Sequence, residues 1–189
     1  QKIDKIKTDL KKGKKEVIKK YGISDDTYEE LKEAQEHEDF WFLNDKNKVQ
    51  VDLLKYKLFL ERNGFKKFFP EDCQKPTWVK IISNKVTETS IEKIKDFVLD
   101  YLLTRVEVEV WKYCANYPNL FSDKLLLMLD SVELMMLKDT KTKSFFAFKN
   151  GILEVDKNQY KLVDYIDVNG YVWESQIIQR DWISLEEYQ

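Results

Sequence analysis

Three short stretches of this chain set aromatic rings beside lysines: Phe65-Lys66-Lys67-Phe68-Phe69, Trp78-Val79-Lys80 and Ser144-Phe145-Phe146-Ala147-Phe148-Lys149. Single-stranded nucleic acid is held by that combination, because rings stack on bases while ammonium groups meet phosphates. Half-buried strands with aromatics inward and lysines outward have the same composition, so both readings stay open. A further store of cations lies in residues 1–20, where nine lysines face only Asp4, Asp9 and Glu16. Lys11, Lys12, Lys14 and Lys15 would form a basic, phosphate-binding arm. The competing reading, which the usual fate of charge runs favours, is a solvated amphipathic helix pair. The candidate nucleic-acid contacts are therefore Lys11, Lys12, Lys14, Lys15, Lys66, Lys67, Lys80 and Lys149.

Other chemistries find little footing. A P-loop needs G-x-x-x-x-G-K-[ST], so that backbone amides wrap a phosphate; Lys11-Lys12-Gly13-Lys14-Lys15 has one glycine and no hydroxyl after its lysine. The lone histidine, His37, sits among Glu33, Glu36 and Glu38, and one imidazole without cysteine neighbours makes a poor zinc site. Asp96 and Asp100 share a helix face at i, i+4 spacing, and Asp164, Asp167, Glu154 and Asp156 cluster in sequence near a hairpin. A metal-dependent polymerase or nuclease wants acidic groups converging from several strands, and solvation is the ordinary explanation for these. Cys73 and Cys114 have no metal spacing; buried free thiols are expected rather than a disulfide. No catalytic, cofactor-binding or metal-ligating residue is predicted.

The 189 residues carry a net charge of −2, with 43 % hydrophobic residues, 11 Phe, 10 Tyr, 5 Trp, and only 5 Gly and 3 Pro. Such a chain can build a real core and presents no global basic field. No apolar run reaches the roughly 18 residues of a membrane span, no signal-peptide pattern opens the chain, and a cytoplasmic protein without membrane partners is expected. The start at Gln1 suggests a piece of a longer polypeptide.

The elements that must position these residues are legible in part. Ile3, Ile6, Leu10, Val17 and Ile18 recur at helical spacing, and Asp26-Thr27-Tyr28-Glu29 reads as a capping box opening an acidic helix that could pair with the lysines. Phe40 to Leu43 reads as a short aromatic strand, and Asn44 to Asn47 as a turn. Val51 to Asn63 is predicted as a helix with Leu53, Leu54, Leu58 and Phe59 inward and Gly64 as its stop. Phe65 to Phe69 and Trp78 to Ile82 read as strands, with a turn at Asn84-Lys85. Thr89-x-x-Glu92 would cap a helix with Ile91, Ile94, Phe97, Val98, Tyr101 and Leu102 on one face. Residues 105–113 show both periods and are assigned to helix. Residues 122–138, apolar on nearly every side, are expected to form one continuous helix. The closing stretch Ser144 to Trp182 holds two or three strands broken at Asp156-Lys157-Asn158 and Asn169-Gly170. The expected class is α+β: a helix-rich mixed domain with small antiparallel sheets and a C-terminal β-hairpin region. Residues 1–43 would be a helical appendage, and 44–189 the mixed domain.

Phe145-Phe146-Ala147-Phe148-Lys149-Asn150-Gly151-Ile152-Leu153-Glu154-Val155 resembles a strand-turn found just ahead of the helicase domain in phage and plasmid primase–helicases of the superfamily-three type. Asp167-x-Asn169-Gly170-Tyr171-Val172-Trp173-Glu174-x-Gln176-Ile177-Ile178-x-Arg180-Asp181 is similar to the version in phages and mobile elements of gut Bacteroides-type bacteria. Leu58-Phe59-Leu60-x-x-x-Gly64-Phe65, Val79-Lys80-Ile81 and Ile94-Lys95-Asp96-Phe97-Val98 extend the likeness over residues 50–182. The resemblance implies a non-catalytic accessory domain of a DNA-replication protein in the bacterial host cytoplasm, positioning DNA or assembling the helicase ring. Its implied partners are DNA, contacted weakly or indirectly, a downstream helicase domain, and further copies through the full-length protein. ATP and Mg²⁺ would belong only to an ATPase beyond Gln189. Weak DNA binding with a shallow salt dependence is expected. The alternative is a stand-alone protein-interaction module.

Overall fold

The structure, a computed structural model, describes residues 14–29, 39–71 and 73–184, with Lys15 and Glu16 described in backbone only. It is an α+β protein with small sheets. The chain divides into two compact units, one of Gln1–Phe59 and Lys95–Leu120, the other of Leu60–Ile94 and Phe121–Gln189. The expected border between 43 and 44 falls inside the first hairpin of the first unit.

In the first unit, helix α1 (Lys14–Tyr21) ends at Gly22, whose φ is +63°. Residues 25–29 are helical again. Their cap is Ser24, not Asp26: its Oγ accepts from the Thr27 amide at 3.1 Å, and its carbonyl accepts from Tyr28. Val17 and Tyr28 are buried together with Ile18, Tyr21 and Ile23 around them. Strands β1 (Trp41–Leu43) and β2 (Val49–Val51) form an antiparallel hairpin. Asn44 closes its turn by accepting from the amides of Lys46 and Lys48, both at 3.0 Å.

Helix α2 (Leu53–Arg62) begins where the Asp52 carboxylate accepts from the amides of Leu54 and Lys55. Its inward face differs from the predicted one. Leu53, Leu54 and Leu58 are exposed, and the buried positions are Tyr56, Phe59 and Leu60. The i, i+3, i+4 spacing is intact but rotated, because an aromatic cluster decides it. Phe40 lies 5.2 Å from Tyr56 and 4.7 Å from Phe59, ring centre to ring centre, and Phe59 lies 4.6 Å from Tyr101. Helix α3 (Ile91–Thr104) buries Ile94, Val98 and Leu102 as expected; its cap is Ser90, one residue beyond the predicted Thr89. The helix ends with Val106 at φ +59°, while Val106 and Glu107 donate to the carbonyls of Leu103 and Leu102. That double closure is a Schellman stop, and it puts a β-branched residue where glycine is usual. Helix α4 (Val108–Ala115) follows, so the ambiguous stretch is helical from Val108 onward, while Arg105 to Glu107 form the stop between the two helices.

The second unit is built on a four-stranded sheet, β3 (Phe65–Phe68), β4 (Thr77–Ile82), β5 (Lys85–Thr89) and β9 (Val172–Trp173), in that spatial order. The first three pair antiparallel and β9 joins β5 in parallel. Gly64 makes the entry to β3 feasible: its φ is +87°, and a Cβ there would stand 2.3 Å from the Ile81 carbonyl oxygen. Ser83 and Asn84, both at positive φ, turn β4 into β5, the two-residue geometry that matches strand twist. The Asn84 amide also donates to the carbonyls of Tyr165 and Val168, each at 3.0 Å, latching the distant loop beside β9.

The expected long helix over 122–138 is absent. Ser122 caps a single turn, α5 (Asp123–Leu126), further turns follow to Leu129, and the chain then runs extended. The Lys67 amide donates to the Asp130 carbonyl, and Val132 donates back to Lys67; farther on, the Tyr171 amide donates to the Met135 carbonyl and Leu137 donates back to Tyr171. Burial alternates along 131–136, with Val132, Leu134 and Met136 half-buried between exposed neighbours. A continuous apolar run does not distinguish helix from strand, and here the unpaired edge of β3 was available to pair with it. Strands β6 (Lys143–Phe148), β7 (Gly151–Asp156) and β8 (Tyr160–Val163) complete an antiparallel meander. Ile152 of this meander is buried with Tyr165, Val168, Val172 and Ile177.

Candidate nucleic-acid interface

Within the second unit, Arg62, Lys66 and Lys80 line one groove of about 570 Å³. Arg62 stands on the last turn of α2, Lys66 on β3 and Lys80 on β4, so the sharp reversal at Gly64 is what brings them to one concavity. Among the charged residues of the lining only Glu61 opposes them. Lys66 lies 3.6 Å from Glu61 and 3.7 Å from Asp130, long contacts that hold the ammonium without saturating its three donors. The Lys80 ammonium lies 5.1 Å from the centre of the Phe65 ring, an arrangement that fixes a cation at little cost in charge. Asn63, Gly64 and Tyr171 complete the polar lining. Chemically, the groove can accept an anion such as a backbone phosphate.

The other sequence-predicted lysines are dispersed. Lys67 donates to the Leu127 carbonyl at 2.7 Å and does not line the groove. Lys149 sits exposed on the β6–β7 turn. Lys14 meets Asp25 at 3.2 Å and Glu29 at 2.8 Å, and hydrogen bonds to those carboxylates raise its pKa. The expected pairing of basic and acidic segments is therefore present at Lys14. Lys11, Lys12 and His37 lie outside the described residues, as does the Lys15 side chain. Arg62 was not among the predicted contacts. The signal for it was available, since a cation just before a helix-stopping glycine is placed by the turn that follows.

The carboxylates weighed as metal ligands are mostly engaged in structure. Asp156 closes the β7–β8 turn by accepting from the amides of Asn158 at 2.8 Å and Gln159 at 3.0 Å, and those bonds lower its pKa. Asp164 caps a short 3₁₀ turn through the Ile166 amide. Glu154 is held between Lys143 and Lys161 at 3.4 and 3.3 Å. Among the described residues no three His, Cys, Asp or Glu side chains are grouped to hold a metal ion. Both cysteines are free thiols, and Cys73 is exposed rather than buried as expected. Burial pushes the Cys114 thiol up to about 12. The two tryptophans of the closing stretch are ring anchors, Trp173 against Phe68 and Trp182 against Tyr160. Among the described residues no helix is long and apolar enough to cross a membrane. No protein-family model, no curated protein and no solved structure matches the chain.

Proposed function

We propose that this chain is a DNA-contacting, non-catalytic accessory module of a replication protein, of the kind that precedes the helicase ATPase in phage and mobile-element primase–helicases. The observation that carries the DNA contact is the groove of Arg62, Lys66 and Lys80. Three cations against Glu61 in the lining and Asp130 beside Lys66 leave a net positive charge at the groove of a chain whose net charge is −2. Such a field suits phosphates whatever the base sequence. The ordered likeness over residues 50–182 supports the assignment to replication, where DNA is positioned for an engine carried elsewhere in the polypeptide. The cytoplasm of a bacterial host is the compartment this role requires.

Fluorescence anisotropy with a labelled single-stranded oligonucleotide at several salt concentrations tests the contact. If each of the three cations neutralises one phosphate, log K should fall against log salt with a slope of about −2. Replacing Lys66 and Lys80 by alanine should flatten that slope to about −0.7 and weaken binding at low salt. Binding that persists unchanged in the Arg62→Ala, Lys66→Ala, Lys80→Ala triple variant would refute the groove. Reading the coding frame beyond Gln189 tests the assignment to replication, since a P-loop segment must follow.

A protein-interaction role is the second reading, and one observation favours it. Phe146, Leu153 and Leu162 are paired across β6, β7 and β8 on one sheet face, with Phe146 47 % exposed. Sedimentation decides this reading: a strict monomer at high concentration argues against self-association through that face.

A further inference from the structure

In the first unit, a second cleft of about 830 Å³ opens between the β1–β2 hairpin and α4. Its walls are aromatic: Trp41 from β1, Tyr113 from α4, and Tyr117 just past the end of that helix. The rings of Tyr113 and Tyr117 are stacked, with centres 5.4 Å apart and planes 17° from parallel, and Tyr117 remains 43 % exposed. A stacked pair with one open face is a platform on which a further flat ring can continue the stack.

The polar groups at the rim are unspent. Among the described residues, the hydroxyls of Tyr113 and Tyr117 and the side-chain amide of Asn47 have no hydrogen-bond partner. The Asn116 amide nitrogen donates to the Lys112 carbonyl at 2.9 Å, which leaves its oxygen open to a ligand donor. Charge is balanced overall, with Lys48 and Lys112 against Glu107 and Glu109. Lys112 and Glu109 satisfy each other at 2.8 Å. Lys48 has no ion pair among the described residues, so one rim offers a single cation.

We infer that this cleft takes one base of a single-stranded nucleic acid, stacked on Tyr117, with the neighbouring phosphate against Lys48. A charge-neutral aromatic floor suits a neutral ring better than a polyphosphate. Asparagine amides and free hydroxyls can meet the hydrogen-bonding edge of an unpaired base. The single open cation matches the one phosphate that adjoins it. The inference rests on the proposed DNA contact and adds to it a base-dependent term that a phosphate groove lacks.

The test compares oligothymidylate with an abasic strand of equal length and phosphate count, both against the full chain. The unsubstituted protein should bind oligothymidylate roughly tenfold or more tightly than the abasic strand. Tyr117→Ala should abolish that preference and leave abasic binding and its salt slope unchanged, while Tyr117→Phe should keep it. Because Tyr117 is 43 % exposed and outside the buried core, the alanine variant is expected to fold, and its thermal transition checks this. Equal binding of both strands by the unsubstituted protein overturns the stacking site but leaves the Arg62, Lys66, Lys80 groove standing. Failure to bind either strand overturns both. A proline-rich peptide that binds in a Tyr117-dependent manner, with no base preference for DNA, would reassign the cleft to a protein partner and overturn the inference.

Discussion

Replacing Gly64 with alanine tests the geometry on which the basic groove depends. The added Cβ would stand 2.3 Å from the Ile81 carbonyl oxygen, 3.2 Å from its carbon and 3.3 Å from the Ile81 nitrogen. All three atoms are backbone of β4, so no side chain can swing aside. To restore contact the strands must part by about 1 Å, against interior packing that resists such shifts at about 1–3 kcal/mol. The same movement strains the Ile81 amide bond to the Gly64 carbonyl, 2.9 Å long, worth about 1 kcal/mol. An L-residue at φ +87° adds about 1–2 kcal/mol of backbone strain. Together these give a loss of about 3–6 kcal/mol. With a urea m-value of about 2 kcal/mol/M, the midpoint should fall by about 1.5–3 M. Gly22→Ala is the internal control, because Gly22 has a similar φ of +63° but nothing within 4 Å of its added Cβ. That variant should lose only the backbone strain, about 1 kcal/mol. Urea unfolding followed by tryptophan fluorescence measures both. If the two alanine variants lose the same stability, the close approach of β3 and β4 at Gly64 is wrong, and so is the groove built on it.

Arg105 holds Asp39 at 2.7 Å and Tyr101 Oη at 2.6 Å while covering the Trp41 ring at 5.4 Å; Arg105→Met should cost about 3 kcal/mol by removing the cation beside a largely buried carboxylate, and adding Asp39→Asn should recover part of that. Val106→Gly should raise stability by about 1 kcal/mol in the same unfolding assay, since glycine relieves the positive φ at an exposed site. Titration with a thiol reagent at pH 8 should modify Cys73 in the native protein and reach Cys114 only after denaturation, because the latter is buried with its pKa near 12. The Asp156 pKa is lowered in the folded state, so its contribution is full above the unfolded carboxylate value of about 4 and lost as pH falls through the folded one. Acid titration of Asp156→Asn should therefore show a flatter decline in stability below about pH 4 than the parent chain.

Local signals carried much of this protein. Gly64 stopped its helix, the Asn44 turn closed a hairpin, the 94–98–102 spacing buried the face it predicted, and strands β3 and β4 fell on the two runs read as strands. These features depend on backbone stereochemistry and side-chain period, which a short window of sequence contains. Caps were displaced by one or two residues, to Ser24 and Ser90, because serine, threonine and aspartate compete for the same amides and only the folded chain selects among them.

Tertiary structure decided the rest. The inward face of α2 turned toward Tyr56 because Phe40, sixteen residues earlier, supplied the ring it packs against. The run beyond Leu129 became extended because the edge of β3 and the loop at Tyr171 offered backbone partners, although the alternation of Val132, Leu134 and Met136 had been visible. The candidate site divides along the same line. The sequence by itself determined which residue types were present to meet phosphate or base, and it named Lys66 and Lys80 but not Arg62, Tyr113 or Tyr117. Which cations share a groove, which are held by carboxylates and which rings stack with a face left open are properties of atoms brought together from far along the chain, and only folding sets those distances.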